Sequence, residues 1–416
     1  MVFTGRTYPG TAAGLAACKA EGVIYEESGA GRPDPRIPLA GGPGSGPLAW
    51  SVMRPMRGFV ISVLCGGLVI AGSLAARPGA ASVTAYESSV RYAGNLTGHA
   101  SVPPAAQAVD TSHPNHVIGN GTPAGCTSAA VVRAVALGGI ITFDCGPGPV
   151  TITMTATAKV VNTSHRIVLD GGGKVTLNGA GKTRILYMNT CDPKQKYTTD
   201  DCWEQQWPQL VVQNITLENA YSAVQETSTS SYGGGAIFDQ GGQLKVVNSA
   251  FIDNRCYATG PDLGGAAIRA LGMYMGTPVY ITHDTFTGNS CSNGAALSGL
   301  YANFDVINSV MTGNKAIGWG ASPASSGAPG GGSGGAIYTD GDHYSLTIDG
   351  TVISGNSARE GGGAVFFVVD AGGGTLNIDY STLHRNPSGE FQNAPGIFDS
   401  VNGHVTRPVV IDSSIS

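Results

Sequence analysis

The sequence predicts an all-β chain wound as a single-stranded parallel β-helix, a solenoid with one short capping helix near its N-terminal end. Three observations predict it. An apolar motif of about eleven residues recurs at irregular intervals, a Gly-Gly-Ala motif follows most copies, and the composition combines few charges with many turn residues. Only 12% of the 416 residues are charged, 42% are apolar, and 63 are glycine. Typical domains carry about 25% charge and about 7% glycine. This apolar fraction is high enough to exclude a disordered chain, and the glycines suit many short strands joined by many turns. The net charge is −5, with no run of Lys or Arg, which argues against a nucleic-acid partner.

The repeat is the strongest signal. Residues 244–254, 279–289, 304–314, 346–356 and 376–386 align and end on Asn254, Asn289, Asn314, Asn356 and Asn386. A divergent copy occupies residues 210–219, and a last one begins at Val409. The second motif begins at Gly234, Gly264, Asn293, Gly334 and Gly362. Short apolar runs broken by Gly, Asn and Ser read as strands. Successive terminal Asn residues lie 25 to 42 positions apart, which rules out a strict nonapeptide calcium repeat and suits coils that differ in one loop. Asn side chains stacked about 4.8 Å apart would form an amide ladder satisfying turn backbone. Paired glycines permit φ > 0 at a tight bend.

The flanking elements follow in order. Residues 53–85 read as a signal peptide: Arg54 and Arg57 precede an uncharged stretch, residues 59–76, and small residues follow. Residues 1–52 show no periodicity and read as a misassigned or disordered extension. Residues 86–120 read as a flexible linker, and residues 121–416 as the solenoid. Residues 126–137 form a short amphipathic helix, capped by Thr127 or Ser128 and stopped by Gly138. Ile140 to Phe143 begin the first strand, residues 167–178 and 185–188 give an early coil, and residues 191–207 make a polar excursion with two Trp residues.

Export sets the cysteine reading. Six cysteines fall in the mature chain, and sequence neighbours pair as Cys126–Cys145, Cys191–Cys202 and Cys256–Cys291, in keeping with an oxidising compartment. No Cys or His spacing matches a zinc site.

On these motifs the chain resembles the pectin-lyase-like right-handed parallel β-helix superfamily. The Asn-Ser-x-Phe-x-x-Asn and Gly-Gly-Ala-Ile cadence is also similar to polymorphic outer-membrane protein repeats. The resemblance implies a right-handed solenoid across residues 120–416, with substrate lying along the strand that follows each Gly-Gly turn. Because that fold hosts lyases, hydrolases, epimerases and adhesins, it implies no single activity.

Aligning the Gly-Gly motifs puts Asp239, Arg269, Ser298, Thr339 and Phe367 in one column, making Asp239 and Arg269 neighbours. These two, with Asp342 and His343 of the Asp340-Gly-Asp-His343 turn, are the catalytic candidates. The bland reading of the first pair is a surface ion pair, and of the second a solvated turn. Trp203, Trp207, Tyr232 and Tyr338 are candidates to stack on sugar rings. A hydrolase needs paired carboxylates; a lyase needs a base and a cation, and calcium enters only with that reading. The sequence thus points to a secreted, monomeric, carbohydrate-active protein, a polysaccharide lyase or glycoside hydrolase without stable membrane insertion after signal cleavage. The alternative is a non-catalytic surface or glycan-binding β-helix.

Overall fold

Each repeat copy buries alternate residues, and identical side chains recur at identical steps, so every copy pairs with the next instead of folding back on itself. The computed structural model describes residues 93–222, 233–261, 263–321 and 328–416. The stretch expected to be a signal peptide, the extension before it and Tyr232 lie outside the described residues. Among the described residues, strands form sheets of seventeen, nine and five, and every pairing between coils is parallel. This is the architecture of an all-β parallel solenoid.

One coil shows the plan. Gln243–Val247 and Ala250–Ile252 belong to the long sheet, Arg255–Cys256 to the five-stranded sheet, and Ile268–Leu271 to the nine-stranded sheet. Left-handed residues make the corners, with Asn248, His283 and Asn308 at one and Gly234, Gly265, Gly294, Gly334 and Gly362 at another. At the glycine corner an added Cβ would fall 2.2–2.6 Å from the carbonyl oxygen three residues on. That explains why the motif keeps glycine there. His283, within a repeat copy, is therefore a turn residue.

Two ladders run through the interior. Nδ2 of Asn254, Asn289, Asn314 and Asn356 each donates to Oδ1 of the next ladder Asn at 2.8–3.0 Å. In the second ladder, the backbone N–H groups of Ser249, Asp284, Ser309, Thr351 and Ser381 donate in turn to side-chain oxygens of Asp284, Ser309, Thr351, Ser381 and Ser413. Between them lies the apolar core, where the Phe251 and Phe286 rings stack at 4.8 Å.

α1 (Ser128–Leu137) starts at Thr127, whose side chain accepts from Ala130 N–H, and ends at Gly138 with φ 75°. Val131, Ala134 and Val135 bury one of its faces against the first coils. The cysteines pair as Cys126–Cys145, Cys191–Cys202 and Cys256–Cys291.

Where the sequence reads a flexible linker, residues 93–115 instead form a strap along the outer face of the long sheet. Val109 N–H donates to Gln213 Oε1 at 2.9 Å and its carbonyl accepts from Gln213 Nε2 at 3.0 Å. Asn308 holds Ala100 in the same two-point way. Val168, Val211 and Val247 point away from the core on this face, yet all are buried.

Candidate functional site

Register decides where the predicted catalytic residues point. Across the nine-stranded sheet, Asp239 pairs with Ala270, Gly299, Thr339 and Phe367 in successive coils, whereas Arg269 pairs with Phe238 and Ser298. Asp239 and Arg269 are thus one step apart, and a one-residue step reverses the face of a strand. The second and third motif copies take their left-handed corner at Gly265 and Gly294, not at the motif's first residue. The single column expected from sequence is therefore two columns.

Asp239 points into the core. It is fully buried, neither carboxylate oxygen makes a well-formed hydrogen bond, and burial, offset only in part by the Gln240 backbone N–H, holds its pKa well above the ordinary carboxylate range. Arg269 projects outward, where its Nη1 donates to Ser298 Oγ. Its column carries stacked rings at Tyr187–Phe238 and Tyr338–Phe366, with centroids 5.4 and 4.9 Å apart. Phe238, Arg269, Ser298 and Tyr338 are all buried, so this stretch of the face is no open groove. The Tyr338 hydroxyl donates to Asp340 Oδ2 at 2.8 Å. Asp342 and exposed His343 occupy the turn after Ile337–Gly341. The four catalytic candidates therefore form no common site. Among the described residues, no group of three His, Cys, Asp or Glu is placed to hold a metal ion, so the calcium of the lyase reading has no cluster there.

The aromatic candidates also separate. Trp203 packs with Tyr187, Phe238 and Leu271, its ring so close to Gly272 that an added Cβ would meet it at 2.0 Å. It is packing. Trp207 instead sits half-buried with its ring 4.5 Å from that of exposed His165.

Trp207 opens onto a region where two cavities and several polar groups coincide. Arg166, Gln209 and Gln243 occupy the same register position on three successive strands of the long sheet. They line two adjoining cavities of about 270 and 690 Å³, the larger bordered by His165 and Trp207, the smaller by Lys245 and the strap residues Pro104 and Ala105. No Asp or Glu lines either cavity. Lys245 Nζ donates to the Gln107 carbonyl of the strap at 2.7 Å. Burial, then the nearby Arg166 charge, lowers the Lys245 pKa. Sequence reasoning missed Arg166, Gln209 and Gln243. The only signal was that Gln209 and Gln243 each stand just before the leucine that opens a repeat copy.

Asp349 and Asp379 were also missed. They pair across adjacent strands on the outer face of the long sheet, and burial and then the Asp379 charge raise the Asp349 pKa. Compared with protein-family models, with curated proteins and with solved structures, the chain matches none.

Proposed function

We propose that this is a secreted, right-handed β-helix that binds an extended polysaccharide in the groove between Trp207 and Lys245. One observation carries the reading: the His165–Trp207 ring pair stands beside the outward carboxamides of Gln209 and Gln243 in an open groove of about 690 Å³. A sugar offers an apolar ring face, which stacks on aromatic rings, and a rim of hydroxyls, which pair with amides that both donate and accept. The three disulfides fit the oxidising compartment that export implies.

The test is a glycan array probed with the full chain, followed by titration of the best ligand. Trp207→Ala is expected to weaken binding about tenfold, the typical cost of truncating a central interface Trp. No binding by folded protein, or unchanged affinity in the variant, would sink the reading.

A second reading, glycan cleavage, rests on Asp349 and Asp379. Adjacent rungs lie about 4.8 Å apart, near the ~5 Å that separates the carboxyls of retaining glycosidases. The raised Asp349 would serve as the acid and Asp379 as the nucleophile. Release of new reducing ends from a polysaccharide, lost in Asp349→Asn, is the outcome that would support it; absence of release across a broad panel would discard it.

A further inference from the structure

We infer that Arg166 and Lys245 make the groove an anion-recognition site, so that its ligand is a sugar carrying a carboxylate or a sulfate ester. The inference rests on the glycan reading above and adds what that reading leaves open, the charge of the ligand. Two cations converge on adjoining cavities that contain no carboxylate. Arg166 is exposed at the start of its strand, and Lys245 is largely buried two strands away. The Lys245 ammonium is held by a neutral oxygen, the Gln107 carbonyl, and not by an acid. An ammonium carries three N–H donors and this bond uses one, so an oxygen of an anionic ligand can accept from another and bring a full countercharge.

Burial is the larger cause of the lowered Lys245 pKa and the Arg166 charge the smaller one; an entering anion relieves the repulsion between the two cations. Charge-assisted bonds to carboxylate or sulfate are roughly twice as strong as neutral ones, so neutral sugars are left with the rings and amides alone. Arg166 suits such a group because its planar fork can engage two oxygens together. The ring pair of His165 and Trp207 at the other end of the groove places the sugar face next to the charge.

The test titrates the full chain with three oligosaccharides of matched length: oligogalacturonate, sulfated dextran and unmodified dextran. At least one charged probe is expected to bind ten times more tightly than dextran, and which one does so tells carboxylate from sulfate. Arg166→Gln and Lys245→Met are each expected to lower the ratio of charged to neutral affinity about tenfold. Lys174→Gln, which removes an exposed cation outside both cavities, is expected to leave that ratio unchanged. Equal binding of charged and neutral probes, or an unchanged ratio in Arg166→Gln, overturns the inference while the glycan reading stands. An equal fall in Lys174→Gln also overturns it, since the attraction would then be diffuse. If no probe binds to folded protein, the glycan reading itself fails.

Discussion

Asp239 lies beside Ala270 across the ladder, one residue out of step with Arg269, so its carboxylate and the Arg269 guanidinium leave the sheet on opposite sides. A carboxyl group is thereby sealed in the solenoid between Met188 and Ala270, with no well-formed hydrogen bond to either oxygen.

Such a group opposes folding. Well below the ordinary carboxylate pKa of 3.8, folded and unfolded chains both hold the proton. As pH rises further, the unfolded chain ionises while the buried acid does not, so stability falls until the folded group ionises too. Asp239→Leu removes both the ionisation and the poorly bonded polar atoms, a gain of about 1–3 kcal/mol. Denaturant unfolding of both proteins between pH 4 and 8 should show the variant's advantage widening as pH rises. A constant or reversed difference would refute this account.

The long sheet was legible almost residue by residue. The copies beginning at Val279, Phe304, Leu346 and Leu376 pair in the register that their alignment gives. A buried Leu or Phe cannot slip by one position without turning toward water, so apolar alternation fixes register. The Gly-Gly corners carry no such mark. Either glycine of a pair can take φ > 0, and alignment on the first one put Arg269 in the wrong column. The groove was less legible still, because Arg166, Lys245 and Trp207 come from separate coils and share no motif.

The interior amides set a second prediction. Asn314 Oδ1 accepts from both the backbone N–H and Nδ2 of Asn289, and its own Nδ2 donates to the Phe286 carbonyl and to Asn356 Oδ1. Asn314→Ala leaves these buried groups unanswered on both sides, at a cost of about 3 kcal/mol. The loss should exceed that of Asn386→Ala, whose Nδ2 meets a single carbonyl. Parallel urea melts of the two variants decide the order.

Two glycines with nearly equal backbone angles should respond differently to alanine. Gly334 has φ 69° and Gly355 φ 65°. A Cβ on Gly334 would sit 2.3 Å from the Ile337 carbonyl oxygen, whereas one on Gly355 would meet nothing within 4 Å. Gly355→Ala therefore bears only the left-handed penalty of about 1–2 kcal/mol. Gly334→Ala adds a backbone collision and should be clearly worse. Equal destabilisation in calorimetry would mean that the corner relaxes.

The strap offers the last prediction. Gln213 and Asn308 each clamp the backbone of one strap residue, Val109 and Ala100, through both halves of a side-chain amide. Lys245 adds a bond to Gln107 between them. These bonds span 104 to 208 positions of sequence, so no local pattern announced them. Because each clamp is local, each should fail locally. In Asn308→Ala, hydrogen exchange should accelerate at Ala100, whose N–H loses its acceptor, while Val109 stays protected. Gln213→Ala should show the reverse. If either substitution exposes the whole of residues 93–115 together, the strap opens as one cooperative unit and the two clamps are coupled. Opening would then also release the Gln107 carbonyl from Lys245, so the exchange pattern decides whether the groove's cation is held independently of the rest of the strap.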